Sequence, residues 1–196
     1  MQPARQAFTR ESADARRAGL IEATAACLAE FGLAGTNVRA ICAKAGVSPG
    51  LLRHYFDGID DLVAATYQAT SDRMDAIFAD AVAGAGSDPR ARLTAYLTAS
   101  FRPPVTDPEL LGAWTAFWAL ARSDARMGAI HAASYAGYRA RLCDLLTACG
   151  ARDAGRLAIM LTAMVDGLWL ELSLDAESFG AEAAVAMIER TVAALV

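Results

Sequence analysis

The fold of this chain is decided by residues 37–56, which read NVRAICAKAGVSPGLLRHYF. Asn37 and Ser48 are residue types that favour helix N-caps, and Pro49 suits a first helical position because its missing N–H would have no partner there. Between these helix starts, Gly46 allows the positive φ that a sharp turn requires. The stretch therefore predicts two helices of about seven to nine residues joined by a tight turn, a helix-turn-helix.

A longer first helix precedes this motif. Residues 12–31 carry apolar side chains at helical spacing, and Gly32 is expected to end the helix. The predicted buried face comprises Leu20, Ile21, Thr24, Ala25, Leu28 and Phe31. This face and the apolar residues of the motif predict a small three-helix head, with a short helical hairpin inside a larger bundle as the alternative.

Glycine and proline divide the rest of the chain into six further helices. The breaks fall at residues 57–58, 84–86, 103–104 and 150. Ser178 is expected to cap the last helix, and no alternation typical of strands persists. The sequence thus predicts an all-α chain of nine helices, with the head in residues 1–60 and a larger helical domain in residues 61–196.

Charge is distributed unevenly, although the whole chain carries a net charge of -4. Residues 1–56 hold 7 basic and 4 acidic side chains, whereas residues 57–196 hold 11 basic and 18 acidic ones. A basic head on an acidic body is expected where only the head meets phosphate. Residues 1–10 are predicted to form a disordered arm that adds Arg5 and Arg10 to the head.

Nothing in the sequence is typical of an enzyme, a metal site or a cofactor site. The four cysteines form no C-x-x-C pair, and only two histidines are present. The first 19 residues lack the apolar core of a signal peptide, and the apolar stretch 158–165 is too short to span a membrane. We therefore expect a cytoplasmic protein without metal or cofactor, and retain an enzyme or a helical adaptor as rival classes.

Two aromatic segments in the larger domain predict a ligand site. AWTAFWA at 113–119 places Trp114, Phe117 and Trp118 on one helix face, and MVDGLWL at 164–170 does the same for Asp166 and Trp169. A carboxylate in an apolar helix is costly unless it is neutralised, and a carboxylate beside indole rings suits an organic cation. We predict that these five residues and Tyr135 bind the ligand. His131 and Tyr138 lie on the same side of the seventh helix as Tyr135 and would help it to close the pocket, with core or surface packing as the other interpretation of these three residues.

Other roles for these residues stay open. Trp114 and Trp118 also suit a plain apolar core, and Trp169 suits a subunit interface. Asp166 would equally be neutralised by an arginine, for which the candidates are Arg122, Arg126 and Arg156. A hydrophobic or aromatic ligand unrelated to cations is the alternative for the pocket itself.

The last two helices are predicted to form a homodimer interface. Small residues permit close approach of helices, and the ninth helix is rich in them. The residues predicted for this face are Ala181, Ala183, Ala184, Val185, Ala186, Met187, Ile188 and Val192.

The head resembles that of the TetR family of bacterial regulators. The resemblance covers residues 15–62 and rests on FG at 31–32, TNVRAI at 36–41, AGVS at 45–48 and HYF at 54–56. It implies a homodimer whose two third helices enter successive major grooves of a palindromic double-stranded DNA operator. It also implies a C-terminal domain in which a small molecule controls DNA binding, and so a repressor released by its effector.

The resemblance also implies roles for individual residues. Ser48, Pro49, Gly50 and Arg53 match positions that face the bases, where Arg53 would contact guanine. Thr36, Asn37, Arg39, His54 and Tyr55 match positions that hold phosphate, and Lys44 adds a positive charge to the motif. His54 packing against the first helix is the alternative for that residue.

The chain departs from the family pattern at Ile59, where a phosphate-binding lysine is usual. Asp57, Asp60 and Asp61 flank this position and would repel a DNA backbone. We therefore expect DNA binding that is weaker or more salt-sensitive than is usual in the family, or compensation by basic residues such as Arg16 and Arg17.

The two aromatic segments resemble those of a choline-responsive branch of this family. The resemblance lies in the A-W-x-A-F-W-A and D-G-L-W-L patterns and extends weakly over nearly the whole chain. It implies a quaternary ammonium effector such as choline.

Overall fold

Local sequence signals account for the helices that the protein forms. The computed structural model describes residues 12–175 and 177–196, so the predicted arm with Arg5 and Arg10 lies outside the described residues. Within that part of the chain there are nine α-helices, a short 3-10 turn at Ala99–Phe101 and no strand, which confirms the all-α prediction. The helices are α1 Ala13–Gly35, α2 Val38–Ala45, α3 Pro49–Tyr55, α4 Ile59–Gly84, α5 Pro89–Thr98, α6 Pro108–Ser123, α7 Ala125–Ala148, α8 Ala154–Leu174 and α9 Ala181–Leu195.

The caps and the turn of the helix-turn-helix are formed as predicted. The Asn37 side chain accepts a hydrogen bond from the N–H of Ala40 at 3.0 Å, and the Ser48 hydroxyl accepts one from Leu51 at 3.3 Å. Gly46 has φ 66°, the left-handed conformation that the turn needs. These local bonds start α2 and α3 at the predicted residues.

The buried face of α1 differs from the prediction at its C-terminal end. Phe31 is 46% exposed, and its ring lies 6.0 Å from the Lys44 ammonium. Gly32 has φ 62° and interrupts the helix immediately after Phe31, so this last turn lies beyond the small core. Ala23 and Cys27 are buried instead, and the prediction for Phe31 is wrong.

Two apolar cores meet at α4. The core of the head contains Leu20, Ile41, Leu52, Phe56 and Leu62. On α4 the larger core begins with the next residue, Val63; it gathers buried side chains from α4 to α9 and also includes Leu28 of α1. Because one continuous helix contributes to both cores, a tilt of α4 would move the head relative to the larger domain.

The last helix begins later than predicted. Asp175 accepts a hydrogen bond from the N–H of Ser178 at 3.2 Å, which places Ser178 in a turn; the helix starts after Gly180, so the predicted cap is wrong.

Several residues predicted for the dimer face lie inside the subunit. Ala184, Ile188 and Val192 are buried in its own core, so they are not available to a partner. The large apolar side chains that are exposed on the last two helices are Ile159, Met160, Leu170, Leu174 and Met187.

Two helices are long and apolar enough to cross a membrane by length and composition, namely Ala13–Gly35 and Ala154–Leu174. The first packs against α2, α4 and α6, and the second packs against α7 and α9. Each of these helices therefore packs against other helices of this fold on one side.

Candidate nucleic-acid interface and ligand cavity

The third helix presents its polar residues outward. Leu52 is buried beneath it, whereas Ser48, Pro49, Gly50 and Arg53 are exposed. Among the residues that the structure describes, no ion pair involves Arg53. Its guanidinium, with five donors in a planar fork, therefore remains available for an acceptor outside the chain.

The residues predicted to hold phosphate surround this helix, but several of their polar groups already have partners. The Thr36 hydroxyl donates to the carbonyl of Gly32 at 2.7 Å, and the Asn37 amide donates to that of Gly35 at 3.1 Å. Both bonds fix the loop before α2, so these residues serve first to position the motif. Arg39 and His54 are exposed and Tyr55 is half-buried, with the His54 and Tyr55 rings 5.0 Å apart edge to face.

Lys44 is held away from the outer face of the motif. Its ammonium lies 2.7 Å from a carboxylate oxygen of Glu30 on α1, and this hydrogen bond raises the pKa of Lys44. The pair ties α2 to α1 and neutralises a charge that the sequence assigned to DNA contact.

The Ile59 departure has a structural explanation. Ile59 is half-buried and packs against both cores, a position that a lysine ammonium would occupy poorly. The neighbouring Asp61 accepts a hydrogen bond from Arg126 of α7 at 2.8 Å, and this bond lowers the pKa of Asp61. Ile59 and Asp61 therefore join the head to the larger domain.

Four helices of the larger domain line a cavity that is partly open to solvent. Five of the six predicted ligand-binding residues line it. The lining residues are Met74, Asp75, Phe78, Ser100, Trp114, Trp118, Ser134, Tyr135, Tyr138, Val165, Asp166 and Trp169. The cavity wall thus combines aromatic rings, hydroxyl groups and two carboxylates, and contains no basic side chain.

The sixth predicted residue, Phe117, does not line the cavity. It is completely buried and stacks on Tyr67, with ring centroids 4.4 Å apart. The Tyr67 hydroxyl in turn shares a hydrogen bond of 2.9 Å with Nδ1 of His131, which also lies off the cavity wall. The face of α6 is wider than the cavity, so Phe117 serves the core behind it.

A hydrogen-bond chain fixes the carboxylate of Asp166. The indole Nε1–H of Trp118 donates to the Tyr135 hydroxyl at 3.1 Å, and that hydroxyl donates to Asp166 at 3.0 Å. Burial raises the pKa of Asp166 to about 6, against the opposing effects of the Tyr135 hydrogen bond and the charge of Arg139. At neutral pH the cavity therefore presents an oriented anion.

The three arginines considered as partners of Asp166 do not neutralise it. Arg126 is paired with Asp61, and Arg156 lies 3.5 Å from Asp153. Over the described ranges, neither Arg122 nor Asp166 takes part in an ion pair. The carboxylate is available for a cation that enters the cavity.

Two of the lining residues on α4 were missed by the sequence analysis, although a signal for them exists. Asp75 and Phe78 stand at i and i+3, so they share a face of α4. Ser100 lies in the 3-10 turn after α5 and carries no periodic signal. Its position on the cavity wall depends on the packing of α5 against α4 and α7.

The helix that carries Trp114 and Trp118 also touches the head. A Cβ added to Gly112 of α6 would lie 2.9 Å from Cα of Ala29 on α1 and 3.1 Å from its carbonyl oxygen. Only glycine permits this approach of the two backbones. The helix that carries two of the cavity tryptophans therefore packs directly against α1 of the head.

Two family models match the chain. The model described as bacterial regulatory proteins of the tetR family matches residues 20–66, and the model for the C-terminal part of BetI-type transcriptional repressors matches residues 89–196. Together they cover the helix-turn-helix and most of the domain that contains the cavity.

Curated relatives and solved structures resemble the chain over most of its length. The HTH-type transcriptional regulator BetI of Paraburkholderia xenovorans is 34% identical over 179 residues, covering 87% of this chain and 88% of the relative. BetI of Rhizobium meliloti is also 34% identical, covering 89% of this chain and 86% of the relative.

Among solved structures, a transcriptional regulator from Pseudomonas aeruginosa PAO1 has a TM-score of 0.86 and 41% identity, covering 97% of this chain and 94% of that one. A regulator from Saccharomonospora viridis, solved in complex with choline, has a TM-score of 0.81 and covers 93% of this chain and 97% of its own. At 16% identity the latter shows the shared fold alone.

Proposed function

The chain belongs to the TetR family of bacterial regulators, with a C-terminal domain of the BetI repressor type, and we propose that a quaternary ammonium cation releases it from its operator. The prediction of a DNA-binding transcriptional regulator rather than an enzyme is confirmed by these matches. The observation that carries the effector proposal is the oriented Asp166 carboxylate inside an aromatic cavity.

The DNA-binding part of the proposal rests on the outward face of α3. Ser48, Pro49, Gly50 and Arg53 contact base edges in the major groove, and Arg39, His54 and Tyr55 bind the flanking phosphates. Two such heads in a homodimer read half-sites about 34 Å apart, one turn of DNA, within a palindromic operator. Such a regulator acts in the cytoplasm, where the DNA is.

The homodimer forms through α8 and α9. Ile159, Met160, Leu170, Leu174 and Met187 are exposed on these helices in the single subunit. Apolar side chains of this size favour burial against a second copy, which gives a four-helix interface. This face keeps Met187 of the predicted one, whereas Ala184, Ile188 and Val192 pack inward.

The cavity chemistry favours a quaternary ammonium over an uncharged effector. An ammonium that carries only alkyl groups has no N–H to donate, so charge and ring faces are what bind it. Asp166 supplies the charge, and Trp118 and Trp169 lie edge to face with centroids 5.5 Å apart beside it. Choline belongs to this class, and a regulator of the same fold was solved with it.

Ligand binding reaches the head through two helices. The cavity residues Trp114 and Trp118 lie on α6, which contacts α1 at Gly112, and Asp75 and Phe78 lie on α4, which continues into the core of the head. A cation that draws these residues inward shifts α6 and α4 together. The two heads of the dimer then no longer match successive grooves.

The effector proposal is tested by gel shift with the DNA that flanks the chain's own gene. Choline and betaine aldehyde are expected to release the protein, whereas glycine betaine, whose carboxylate would lie near Asp166, is expected to act much more weakly. Operator binding that does not change with any of these cations would remove the effector proposal and leave the DNA-binding function intact.

The head is tested separately with Arg39→Ala combined with Tyr55→Ala. The double variant is expected to lose operator affinity while its helical circular dichroism is retained. The matched control is Arg92→Ala on α5, which removes an exposed charge far from the motif. Retained affinity in the double variant would contradict the proposed interface.

A further inference from the structure

One buried hydroxyl on the cavity wall, that of Tyr138, makes no hydrogen bond of standard geometry to the described residues. The Ser100 hydroxyl lies on the same wall, and its hydrogen bonding to Tyr138 is the weakest of the effects on the pKa of that residue. The other three tyrosines of the larger domain are satisfied: Tyr67 bonds His131, Tyr96 donates to the carbonyl of Tyr138, and Tyr135 donates to Asp166. Leaving a buried hydroxyl unpaired is costly, so Tyr138 calls for a partner that the chain does not supply.

Tyr138 is held in place and cannot turn away to find that partner. Its ring stacks on Tyr96 with centroids 4.9 Å apart and meets Phe78 edge to face at 5.5 Å. Burial raises the pKa of Tyr138 well above its ordinary value, so the hydroxyl stays protonated and available as a donor. A fixed, protonated donor on the wall of a cavity is suited to an acceptor that enters with the ligand.

Tyr138 lies about one helical turn from Tyr135, the residue that contacts Asp166. Tyr135, which contacts Asp166, precedes Tyr138 by three residues on α7, so the two lie about 4.5 Å apart along the helix axis. The Ser100 hydroxyl lines the cavity as well. A cation near Asp166 would thus have hydroxyl groups within a few bonds of its charge.

We propose that Tyr138 is a specificity residue that donates a hydrogen bond to a neutral oxygen of the ligand. This inference rests on the proposed function and deepens it by naming the residue that recognises the uncharged end of the cation. Asp166 and the indole rings bind the cationic end, and Tyr138 distinguishes ligands by their other end.

The test compares two cations of nearly equal size by isothermal titration calorimetry with the full chain. Choline carries a hydroxyl where n-propyltrimethylammonium carries a methyl group. The wild-type protein is expected to bind choline more tightly by about 2- to 12-fold, the usual range for one hydrogen bond. In Tyr138→Phe this ratio is expected to fall to about one, without loss of affinity for n-propyltrimethylammonium.

The control variant is Tyr96→Phe, which removes a hydroxyl from the same aromatic cluster but not from the cavity wall. It should keep the wild-type ratio of the two affinities. Equal binding of the two cations by the wild type, or an unchanged ratio in Tyr138→Phe, would overturn the assignment of Tyr138 alone. If neither cation binds the wild type, the quaternary ammonium proposal fails with it.

Discussion

The head and the larger domain use polar residues in opposite ways. In the head, the groups proposed for DNA contact are exposed around a small core, and Arg53 stands free of ion pairs in the described chain. In the larger domain, Asp166, Tyr135 and Tyr138 are enclosed by aromatic rings. The head is therefore suited to bind a large, highly charged surface. The larger domain is suited to bind a small ligand inside its cavity.

This difference implies that the two activities can be separated by mutation but remain coupled. The two cores share α4, whose first turn is tied to α7 by the Arg126–Asp61 pair, and α1 meets the larger domain through Leu28 and at Ala29 against Gly112. A change inside one core should leave the other folded. A change at the contacts between them should disturb the response of the head to the ligand.

The largest effect is expected from Asp166→Asn, which would separate the cavity from the head most clearly. Removing the carboxylate leaves a cation without its counter-charge, and choline affinity should fall by about 3 kcal/mol, roughly 100-fold. Calorimetry measures this loss, and operator binding without ligand should be unchanged. Asp153→Asn, on the exposed side of the same domain, is the control; equal choline affinity in Asp166→Asn and wild type would refute the site.

Gly112→Ala tests the contact between the two regions. Its methyl group would press on the backbone of Ala29, so the free energy of unfolding should fall by about 1 to 3 kcal/mol. Urea denaturation measures the change. Gly19→Ala on α1, where a Cβ meets nothing within 4 Å, should instead stabilise the helix by up to about 1 kcal/mol. Similar stability in the two variants would show that the α1–α6 contact is not close.

Arg53→Ala tests the head without touching the cavity. Loss of a guanidinium from a base edge should cost about 1 to 3 kcal/mol of operator affinity and relax the preference at one base position. Binding to a set of operators with single substitutions measures both effects, and choline affinity should not change. A loss that is uniform across all sequences would place Arg53 on phosphate instead.

The smallest effect expected is a pH dependence confined to the cavity. Because the pKa of Asp166 in the folded protein is raised to about 6, the carboxylate is ionised at pH 8 and becomes protonated as the pH falls through 6. Choline affinity should therefore be constant above about pH 7 and fall by up to about tenfold per pH unit below 6. Calorimetry between pH 5 and 8 tests this. Asp166→Asn should remove the part of the dependence that Asp166 causes, and Asp75→Asn is the control, because burial also raises the pKa of that second carboxyl of the cavity wall.

The same raised pKa fixes the sign of a stability change in the unliganded protein. Its folded-state pKa lies above the ordinary value of 3.8, so the folded state holds this proton more tightly than the unfolded state. The burial of Asp166 therefore destabilises the protein above pH 6, and this penalty decreases as the pH falls from 6 toward 3.8. The cavity keeps an unfavourable charge that its ligand can relieve.

Features that depend on neighbouring residues could be predicted from the sequence, whereas features that depend on distant residues could not. Asn37, Gly46 and Ser48 act on neighbours within four residues, so the helix-turn-helix followed from local chemistry. Phe31 did not, because whether the last turn of α1 is covered depends on the rest of the fold. The same applies to Lys44, whose partner Glu30 is 14 residues away.

The cavity depends even more on residues that are distant in the sequence, so it was harder to predict. Asp166 and Trp169 stood out because a charge in an apolar helix is unusual, but the Tyr135 hydroxyl that orients Asp166 is 31 residues away. Phe117 shares a helix face with Trp114 and Trp118, and periodicity alone does not separate a cavity wall from the core behind it. Ile188 was assigned to the dimer face for a similar reason, since an apolar side chain does not show which surface covers it.

The placement of the indole side chains has a practical consequence. All three tryptophans of the chain line the cavity, and the head contains none. Light absorbed near 295 nm is therefore emitted only from the walls of the ligand site, so the unlabelled protein carries its own optical probe there. These tryptophans do not respond to changes confined to the head. A change in their emission on adding DNA would therefore show that operator binding alters the ligand cavity.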